Sequence, residues 1–339
     1  MSSPTVVLTR NAVQEADLRL MVERALCRNG RRAISVASVS AMPSPFASRV
    51  PAEVLSVSLG DGREMTLFLK SSGSEESDHP DKLVRDREVR IYRELLSEHA
   101  DLPVVRFYEA AWNESLQRRE LLLEYVDDWD LRYQGLDHWF TAAARLGDVH
   151  RHFADRSAEL MGTDYLLRFD AKYFTDWAGH AMAATAEQSP VLARRLGAVV
   201  ERYDVAAQLL DSQPKTLVHN DLAGKNILLD RSSTPARICF VDWEMAGVGC
   251  GLLDLVTFKY GLDEKNDRRV CDAYAAQLDG SPLAPANDRE LRRALSACEI
   301  HKAMTRLWRN RIWRLPEDKV AGWIEEAEAH LRTVEGVAP

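Results

Sequence analysis

The stretch Leu217–Asp230, which reads L-V-H-N-D-L-A-G-K-N-I-L-L-D, constrains the fold of this 339-residue chain more than any other. It places Asp221 and, five residues later, Asn226 between two short apolar runs that predict strands. A further apolar run leads into C-F-V-D-W-E, where Asp242 follows Asp221 by twenty-one residues. Two carboxylates and one amide in such a strand–loop–strand–turn–strand arrangement can hold a nucleophilic oxygen and magnesium ions side by side. The pattern therefore predicts phosphoryl-transfer chemistry.

The order of strand-like and helix-like apolar patterns along the chain predicts an α+β protein with two lobes. A helix from Thr9 or Asn11 to about Cys27 precedes the strand-like runs I-S-V-A-S-V, V-L-S-V-S-L and M-T-L-F-L-K. A helix is predicted across Asp81–Ala100, and two more strands at Val104–Tyr108 and Glu120–Val126, which completes a five-stranded antiparallel sheet with a helix. The rest is predicted to be mostly helical, at Leu136–Ala154, Phe169–Thr185, Pro190–Leu210, Arg268–Leu278, Asp288–Leu315 and Glu317–Val334.

The composition changes after the fifth predicted strand. We therefore place an N-terminal lobe at residues 1–126, a hinge at about 124–130, and a C-terminal lobe at 127–339.

Lys70 and Glu88 are candidates for a buried ion pair. Lys70 ends the third strand, where a buried lysine is costly unless it finds an anion. Glu88 lies on the next predicted helix, one turn before Tyr92, and either faces Lys70 or is solvated. The connection S-A-M-P-S-P-F-A-S-R, which contains Ser44, has no glycine. Its hydroxyl and N–H groups either face a phosphate or belong to an ordinary strand connection, and both interpretations stay open.

Charge and cysteine content exclude several classes of protein. The formal net charge of −8 argues against nucleic acid or an acidic membrane surface as a partner. The five cysteines have no C-x-x-C spacing, which indicates neither a disulfide framework nor a zinc site. The first residues lack the features of a signal peptide, and no apolar run approaches a membrane span. These observations predict a cytoplasmic location; they do not indicate an oligomeric state. His150 and His152 lack a third ligand at metal spacing, which favours capping or surface roles.

These motifs resemble those of the aminoglycoside phosphotransferases and the choline kinase-like small-molecule kinases. H-N-D-L-A-G-K-N-I-L-L-D is similar to the catalytic loop of that family, and F-V-D-W-E to its second acidic segment. L-L-L-E-Y-V resembles its hinge and A-R-L-G-D-V-H one of its helices, so the likeness spans most of Lys70–Phe258. The resemblance implies a protein kinase-like fold.

The resemblance also implies nucleotide binding for the lobe at residues 1–126, catalysis and acceptor binding for the lobe at 127–339, and roles for individual residues. Asp221 would orient or deprotonate an acceptor hydroxyl, and Asn226 and Asp242 would bind Mg²⁺. Lys70, fixed by Glu88, would hold the phosphates of ATP or GTP, Ser44 would face them, and the backbone of Glu124 and Val126 would meet the base. His219 would have a structural role, bonded to backbone near Asp242. Lys225 would either neutralise the transferring phosphoryl group or point to solvent, with solvent slightly favoured.

The acceptor implied by the resemblance is a small molecule with a hydroxyl group. The first candidate is an aminoglycoside or another hydroxylated natural product, as the substrate of an antibiotic-resistance or biosynthetic kinase. The alternative is choline, a sugar or a nucleoside. A catalytically idle nucleotide-binding module is a further alternative. A protein kinase is disfavoured, because Trp243 and Glu244 stand in place of Phe-Gly and no A-P-E-like segment follows.

Charged residues give conflicting indications about the acceptor. An amine-bearing sugar would suit the acidic residues Asp127, Asp128, Asp130, Asp137, Glu244, Asp263 and Glu264, although acidic runs are usually solvated. An anionic group would suit Lys302, Arg306 and Arg309, which share a helix face with Arg311 and Arg314 close by. Trp308 and Trp313 are either core residues or a platform for a ring. The sequence leaves this conflict open.

Overall fold

The computed structural model describes residues 12–28, 34–45, 50–73, 79–99, 101–114, 116–127 and 130–336. Up to residue 127 it contains five strands, in the order β1-β2-β3-β5-β4, and every neighbouring pair is antiparallel. This confirms the predicted five-stranded sheet. The elements are α1 (Ala12–Arg28), β1 (Val36–Pro43), β2 (Ala52–Leu59), β3 (Glu64–Ser72), α2 (Arg87–Arg90), β4 (Phe107–Asn113) and β5 (Arg118–Glu124).

Helix α1 covers one face of the sheet. Its buried Leu18, Met21 and Val22 belong to the same core cluster as Leu55 and Leu67. Because side chains alternate across a strand, every second residue of β2 and β3 contributes to this core, while the others face away. The apolar periodicity of the sequence thus positions both the helix and the sheet.

Two predictions in this part of the chain were wrong in detail. The helix predicted from Asp81 begins at Arg87 and continues as π-helix over Ile91–Leu96, after a separate 3₁₀ turn at Pro80–Lys82. The buried guanidinium of Arg87 donates to the carbonyl oxygen of Asp81, an acceptor that a regular helix starting there would use itself.

The strand predicted at Val104–Tyr108 is likewise displaced, because β4 begins only at Phe107. Val104 instead forms an isolated parallel bridge with Phe240. The neighbouring carbonyl of Pro103 accepts a hydrogen bond of 2.7 Å from the Phe240 N–H. An apolar run predicts a strand but not the partner with which it pairs.

From residue 130 onward the chain is mostly helical, as predicted. The helices enclose a second core, in which Phe174, Leu196, Leu253 and Ile300 are fully buried. The elements are α3 (Leu136–Ala154), α4 (Ser157–Gly162), β6 (Leu167–Arg168), α5 (Ala171–Gln188), α6 (Pro190–Val200), α7 (Asp204–Asp211), β7 (Thr216–Val218), β8 (Ile227–Asp230), β9 (Arg237–Phe240), β10 (Gly247–Gly249), α8 (Leu252–Lys259), α9 (Glu264–Ala275), α10 (Asp288–Trp313) and α11 (Glu317–Glu335).

The helix predicted over Pro190–Leu210 is interrupted. It forms α6 and α7, and the buried ring of Tyr203 lies in the turn between them. The ring belongs to the same core cluster as Val199 of α6 and Ala206 of α7. None of the described helices combines the length and the apolar character that crossing a membrane requires.

By its internal contacts, the chain divides into two compact units. The first comprises Met1–Asp128 together with Leu228–Val241, and the second comprises Trp129–Ile227 together with Asp242–Pro339. Within the first unit, Arg237 of β9 contacts the carboxylate of Glu124 at 2.6 Å. The chain thus returns to the first unit for one short hairpin before it completes the second.

Candidate active site

The loop that follows β7 is anchored by a buried carboxylate. Asp254, on α8, is fully buried, and its two oxygens accept hydrogen bonds of 2.7 Å from the N–H groups of His219 and Asn220. Asn220 has a φ of 65°, a left-handed conformation that is uncommon for residues other than glycine. The anchor thus holds the backbone in a specific shape directly before Asp221.

A histidine and a tyrosine support this anchor. His150 Nε2 lies 3.2 Å from Asp254 Oδ2, and His150 Nδ1 lies 2.8 Å from the hydroxyl of Tyr274. Burial alone raises the pKa of Asp254, but hydrogen bonds and charge from His150, with smaller contributions from His219, lower it below the ordinary value. Asp254 is therefore held as a carboxylate that accepts from several donors.

The location of His150 corrects a prediction. Its side chain is completely buried in this network, so a surface or helix-capping role was wrong. Gly251 makes the close packing possible, because a Cβ at that position would lie 2.6 Å from His150 Nδ1. The pattern A-R-L-G-D-V-H shows where the histidine lies on α3, but its partner Asp254 follows 104 residues later.

Asp221 is held from two sides. Lys225 Nζ contacts its Oδ2 at 2.8 Å, and the amide nitrogen of Asn226 donates to its backbone oxygen at 2.8 Å and to its Oδ2 at 3.2 Å. Burial raises the pKa of Asp221, but Lys225, and more weakly Arg309, lower it by a larger amount, so the net pKa lies below the ordinary value. The carboxylate of Asp221 is thus held in its ionised form.

Lys225 contacts Asp221 rather than only solvent, although its side chain remains 47% exposed. His219 contacts residues of both motifs, and its predicted bond to the backbone near Asp242 stays a prediction. Its ring lies 4.6 Å from that of Trp243, which follows Asp242, and its Nδ1 accepts from the Asp221 N–H at 3.3 Å.

Asp242 lies next to this loop in a strained conformation. Its φ and ψ of 71° and 56° are left-handed, which costs a non-glycine residue free energy and is found mainly at functional sites. Strand β10 pairs with β7 through Gly247 and Val218, which brings the segment that begins at Asp242 beside the loop that carries Asp221.

Asn226 and Asp242 have the donor chemistry that Mg²⁺ requires. The amide nitrogen of Asn226 is engaged with Asp221, which leaves the amide oxygen as the acceptor for a cation. Mg²⁺ prefers oxygen ligands, and in phosphoryl-transfer sites it takes one or two from the protein and others from phosphates. Among the described residues there is no group of three or more acidic, histidine or cysteine side chains placed to bind a metal by themselves.

In the first unit, Lys70 and Glu88 form the pair that the sequence suggested. Lys70 Nζ lies 2.7 Å from Glu88 Oε2, with side-chain exposures of only 16% and 11%. Lys70 belongs to β3, and Glu88 lies in the short helix α2. An ammonium that is both charged and desolvated in this way is suited to bind a phosphate.

The remaining predicted nucleotide contacts are also in the first unit. Glu124 ends β5, where its N–H donates to Arg106 at 2.9 Å and its carboxylate pairs with Arg237, and Val126 follows as a buried residue. Ser44 is buried at the end of β1, and its N–H donates to Ala52 at 2.8 Å. Residues 46–49 of the predicted phosphate loop lie outside the described residues.

Lys302 is a site residue whose environment the sequence did not predict. Its Nζ lies 3.3 Å from Asn220 Oδ1 and 3.4 Å from the Asn220 carbonyl oxygen, so α10 contacts the loop directly. Burial lowers the pKa of Lys302, and Asp254 and Asp221 oppose that shift only in part.

A cavity of about 390 Å³ lies elsewhere, lined by Leu209, Tyr274 and Ala294, and no predicted site residue lines it.

The sheet, the helical unit and the anchored loop define a protein kinase-like phosphotransferase fold. The sequence profile of the phosphotransferase enzyme family matches residues 45–295, and the chain belongs to that family. No curated protein is similar to it in sequence.

Solved structures agree with this assignment of the fold. A putative aminoglycoside phosphotransferase from Ralstonia eutropha is 14% identical, with a TM-score of 0.60, and the alignment covers 96% of this chain and 98% of that one. The aminoglycoside phosphotransferase APH(4)-Ia with ADP and hygromycin B is 15% identical, with a TM-score of 0.55 and coverages of 92% and 98%. Choline kinase LicA from Streptococcus pneumoniae is 13% identical, with a TM-score of 0.52 and coverages of 88% and 94%.

Proposed function

We propose that this protein is a small-molecule kinase that transfers the γ-phosphoryl group of ATP or GTP to a hydroxyl group. The observation that carries the proposal is the environment of Asp221: a loop with its backbone fixed by Asp254 and an ionised carboxylate held by Lys225 and Asn226. A group that must accept a proton from a hydroxyl needs this combination of fixed orientation and charge. Family membership supports the proposal.

The two lobes predicted from the sequence carry different parts of the proposed machinery. We assign nucleotide binding to residues 1–126, where Lys70, held by Glu88, contacts the phosphates. Backbone groups of Glu124 and Val126 meet the base, and Ser44 faces the phosphates. Residues 127–339 supply catalysis and acceptor binding, with Asn226 and Asp242 as the residues that hold Mg²⁺. When bound, that ion neutralises charge on the phosphates.

The proposed reaction is a direct in-line displacement. The acceptor oxygen forms a bond to the γ-phosphorus while the bond from that phosphorus to the bridging oxygen breaks, and the nucleoside diphosphate leaves with that oxygen. Asp221 keeps the hydroxyl directed at phosphorus and accepts its proton. Lys225, next to that carboxylate, is placed to offset negative charge on the transferring group.

The acceptor belongs to one of two classes in this proposal. An aminoglycoside or another hydroxylated natural product is the first to test, since structural relatives include aminoglycoside phosphotransferases, one of them with hygromycin B bound. Choline, a sugar or a nucleoside is the second, since another relative is a choline kinase. We place the enzyme in the cytoplasm, where ATP and GTP are available.

A mass-spectrometric screen tests the proposal directly. Hydroxylated compounds are incubated with the enzyme, Mg²⁺ and ATP or GTP, and a gain of about 80 Da, one phosphoryl group, identifies an acceptor. Slow magnesium-dependent hydrolysis of the nucleotide without an acceptor is also expected. Nucleotide binding with neither hydrolysis nor transfer would support an idle binding module instead.

A further inference from the structure

Three of the acidic residues that would attract an amine-bearing acceptor are engaged in contacts within their own elements. Asp130 pairs with Arg132 at 2.8 Å, Asp263 accepts from the Asn266 N–H at 3.0 Å as the cap of α9, and Glu264 pairs with Arg268 at 3.2 Å. Asp128 lies outside the described residues. These contacts are local to each element, as expected for capping residues and exposed ion pairs.

The basic residues of α10, by contrast, are directed at the catalytic loop. Lys302 is buried, and its Nζ lies within 3.4 Å of two oxygens of Asn220, the residue before Asp221. This contact fixes the rotation of α10, so residues three, four and seven positions after Lys302 lie on the side that faces the loop. Arg306 and Arg309 occupy two of these positions.

Among the described residues, Arg306 has an aromatic and an ion-pair partner, and Arg309 has neither a hydrogen bond nor an ion pair. The guanidinium of Arg306 lies 3.8 Å from the ring centre of Tyr260, and it pairs with Glu326 at 3.6 Å. Arg309 is half-buried and makes no hydrogen bond or ion pair with any residue that the structure describes. A partly desolvated cation without a partner is costly, and it gains most from an anion that brings its own charge.

Because Lys302 contacts Asn220, the residue before Asp221, Arg309 on the same face of α10 lies on the side of the helix that faces the catalytic loop. Lys225 already contacts Asp221 at 2.8 Å, so the position next to the reacting group has its own cation. Arg309 lies seven residues along α10 from Lys302, or about 10 Å at the rise of an α-helix. The two cations are thus suited to different groups, Lys225 to the phosphoryl group and Arg309 to a more distant one.

Resting on the proposed function, we propose that the acceptor carries an anionic group, a carboxylate or a phosphate, which binds Arg309 while its hydroxyl contacts Asp221. A guanidinium binds either oxyanion through two parallel hydrogen bonds, which orients the molecule as well as attracting it. An amine group at this position would meet like charge from Arg309, whereas Lys225 and Lys302 are engaged with Asp221 and Asn220. The site therefore selects hydroxylated acids over hydroxylated amines.

Four sugars with the same ring test the charge preference: glucose, glucosamine, glucuronate and glucose 6-phosphate. With ADP and Mg²⁺ saturating the nucleotide site, each compound is titrated and the shift in melting temperature of the protein is recorded. Transfer from ATP is followed in parallel by mass spectrometry. We expect stabilisation and transfer with glucuronate, glucose 6-phosphate or both, and the better of the two identifies the oxyanion. Equal responses to all four compounds, including no response, or a preference for glucosamine, overturn the proposal.

Arg309 variants connect the preference to this residue. Arg309→Gln is expected to lower kcat/KM for the preferred anionic sugar by about ten- to a hundredfold, mainly through KM, with Arg309→Lys retaining part of the activity. Arg292→Gln, on an exposed position of the same helix, is the control and should behave as the wild type. An equal loss with charged and neutral acceptors would assign Arg309 to the phosphoryl group instead, and wild-type kinetics would leave it no role. Either result overturns this proposal, while any transfer to a hydroxyl still supports the kinase function.

Discussion

Asp221 combines a fixed backbone with a carboxylate that its surroundings keep ionised. Asp221→Ala removes the proton acceptor but none of the proposed nucleotide contacts. We expect kcat to fall by at least about a hundredfold while nucleotide affinity is retained. Steady-state kinetics and a nucleotide titration measure the two quantities, and full activity in this variant would exclude Asp221 as the base.

Asp242 has a left-handed backbone that limits which substitutions can be interpreted. Asn tolerates this conformation better than most residues, so Asp242→Asn removes the charge with little change in backbone strain. We expect the variant to lose at least about tenfold in nucleotide affinity in the presence of Mg²⁺ and little in its absence. Calorimetric titrations with Mg²⁺ or with EDTA make the comparison, and identical curves for variant and wild type would count against a metal role.

At the scale of elements, β3 and α2 are connected by the ion pair between Lys70 and Glu88. Glu88→Gln leaves the buried ammonium without its anion but keeps the shape of the side chain. We expect a loss of about 1–3 kcal/mol in the free energy of unfolding, together with a higher KM for the nucleotide. Urea unfolding and kinetics test this, with Glu94→Gln, an exposed residue of the neighbouring π-helical turn, as the control. Unchanged values of both quantities would show that the pair is not needed.

Helix α8 acts on the catalytic loop through Asp254. In Asp254→Asn, one of the two N–H groups of His219 and Asn220 loses its acceptor, and the contact with His150 is weakened. We expect the free energy of unfolding to fall by about 1–3 kcal/mol and kcat to fall with it, because the backbone before Asp221 is no longer fixed. Asp279→Asn, an exposed substitution after α9, is the matched control. A variant with normal kcat would show that Asp221 is positioned by other contacts.

The sequence predicted the elements better than their connections. Apolar alternation located the strands of the sheet, and the family resemblance implied the pairing of Lys70 with Glu88, which the residues alone left open. The sequence did not indicate that His150, Asp254 and Tyr274 form one buried network. Asp254 and Tyr274 both lie 104 residues or more from His150 along the chain. A buried polar side chain is compensated by whichever partner the tertiary fold brings to it, and a local pattern carries no information about that partner. For the same reason, the sequence showed Lys302 as a basic residue of a helix but did not predict its contact with Asn220. The nucleotide, metal and base roles stay predictions.

At the scale of the whole molecule, the first unit requires a distant segment of chain. Within that unit, Arg237 pairs with Glu124, and the Phe240 N–H donates to Pro103. A fragment of residues 1–128 should therefore unfold at a lower urea concentration than the same fragment joined through a short linker to residues 228–241. The control carries Arg237→Ala in the joined segment, which removes the ion pair with Glu124. Equal midpoints for the short and the joined fragments would mean that the segment adds no stability.

The segment Leu228–Val241 belongs to the first unit but is synthesised after the residues between the two parts of that unit. A ribosome that has released residues 1–128 has not yet made the strand that carries Arg237, and it must first translate about a hundred residues that belong to the second unit. The nascent first unit therefore stays incomplete, with Glu124 lacking its arginine, until Val241 has emerged. Asn226 lies two residues before that segment and Asp242 directly follows it, so the two proposed metal ligands are both present only once the segment has been made.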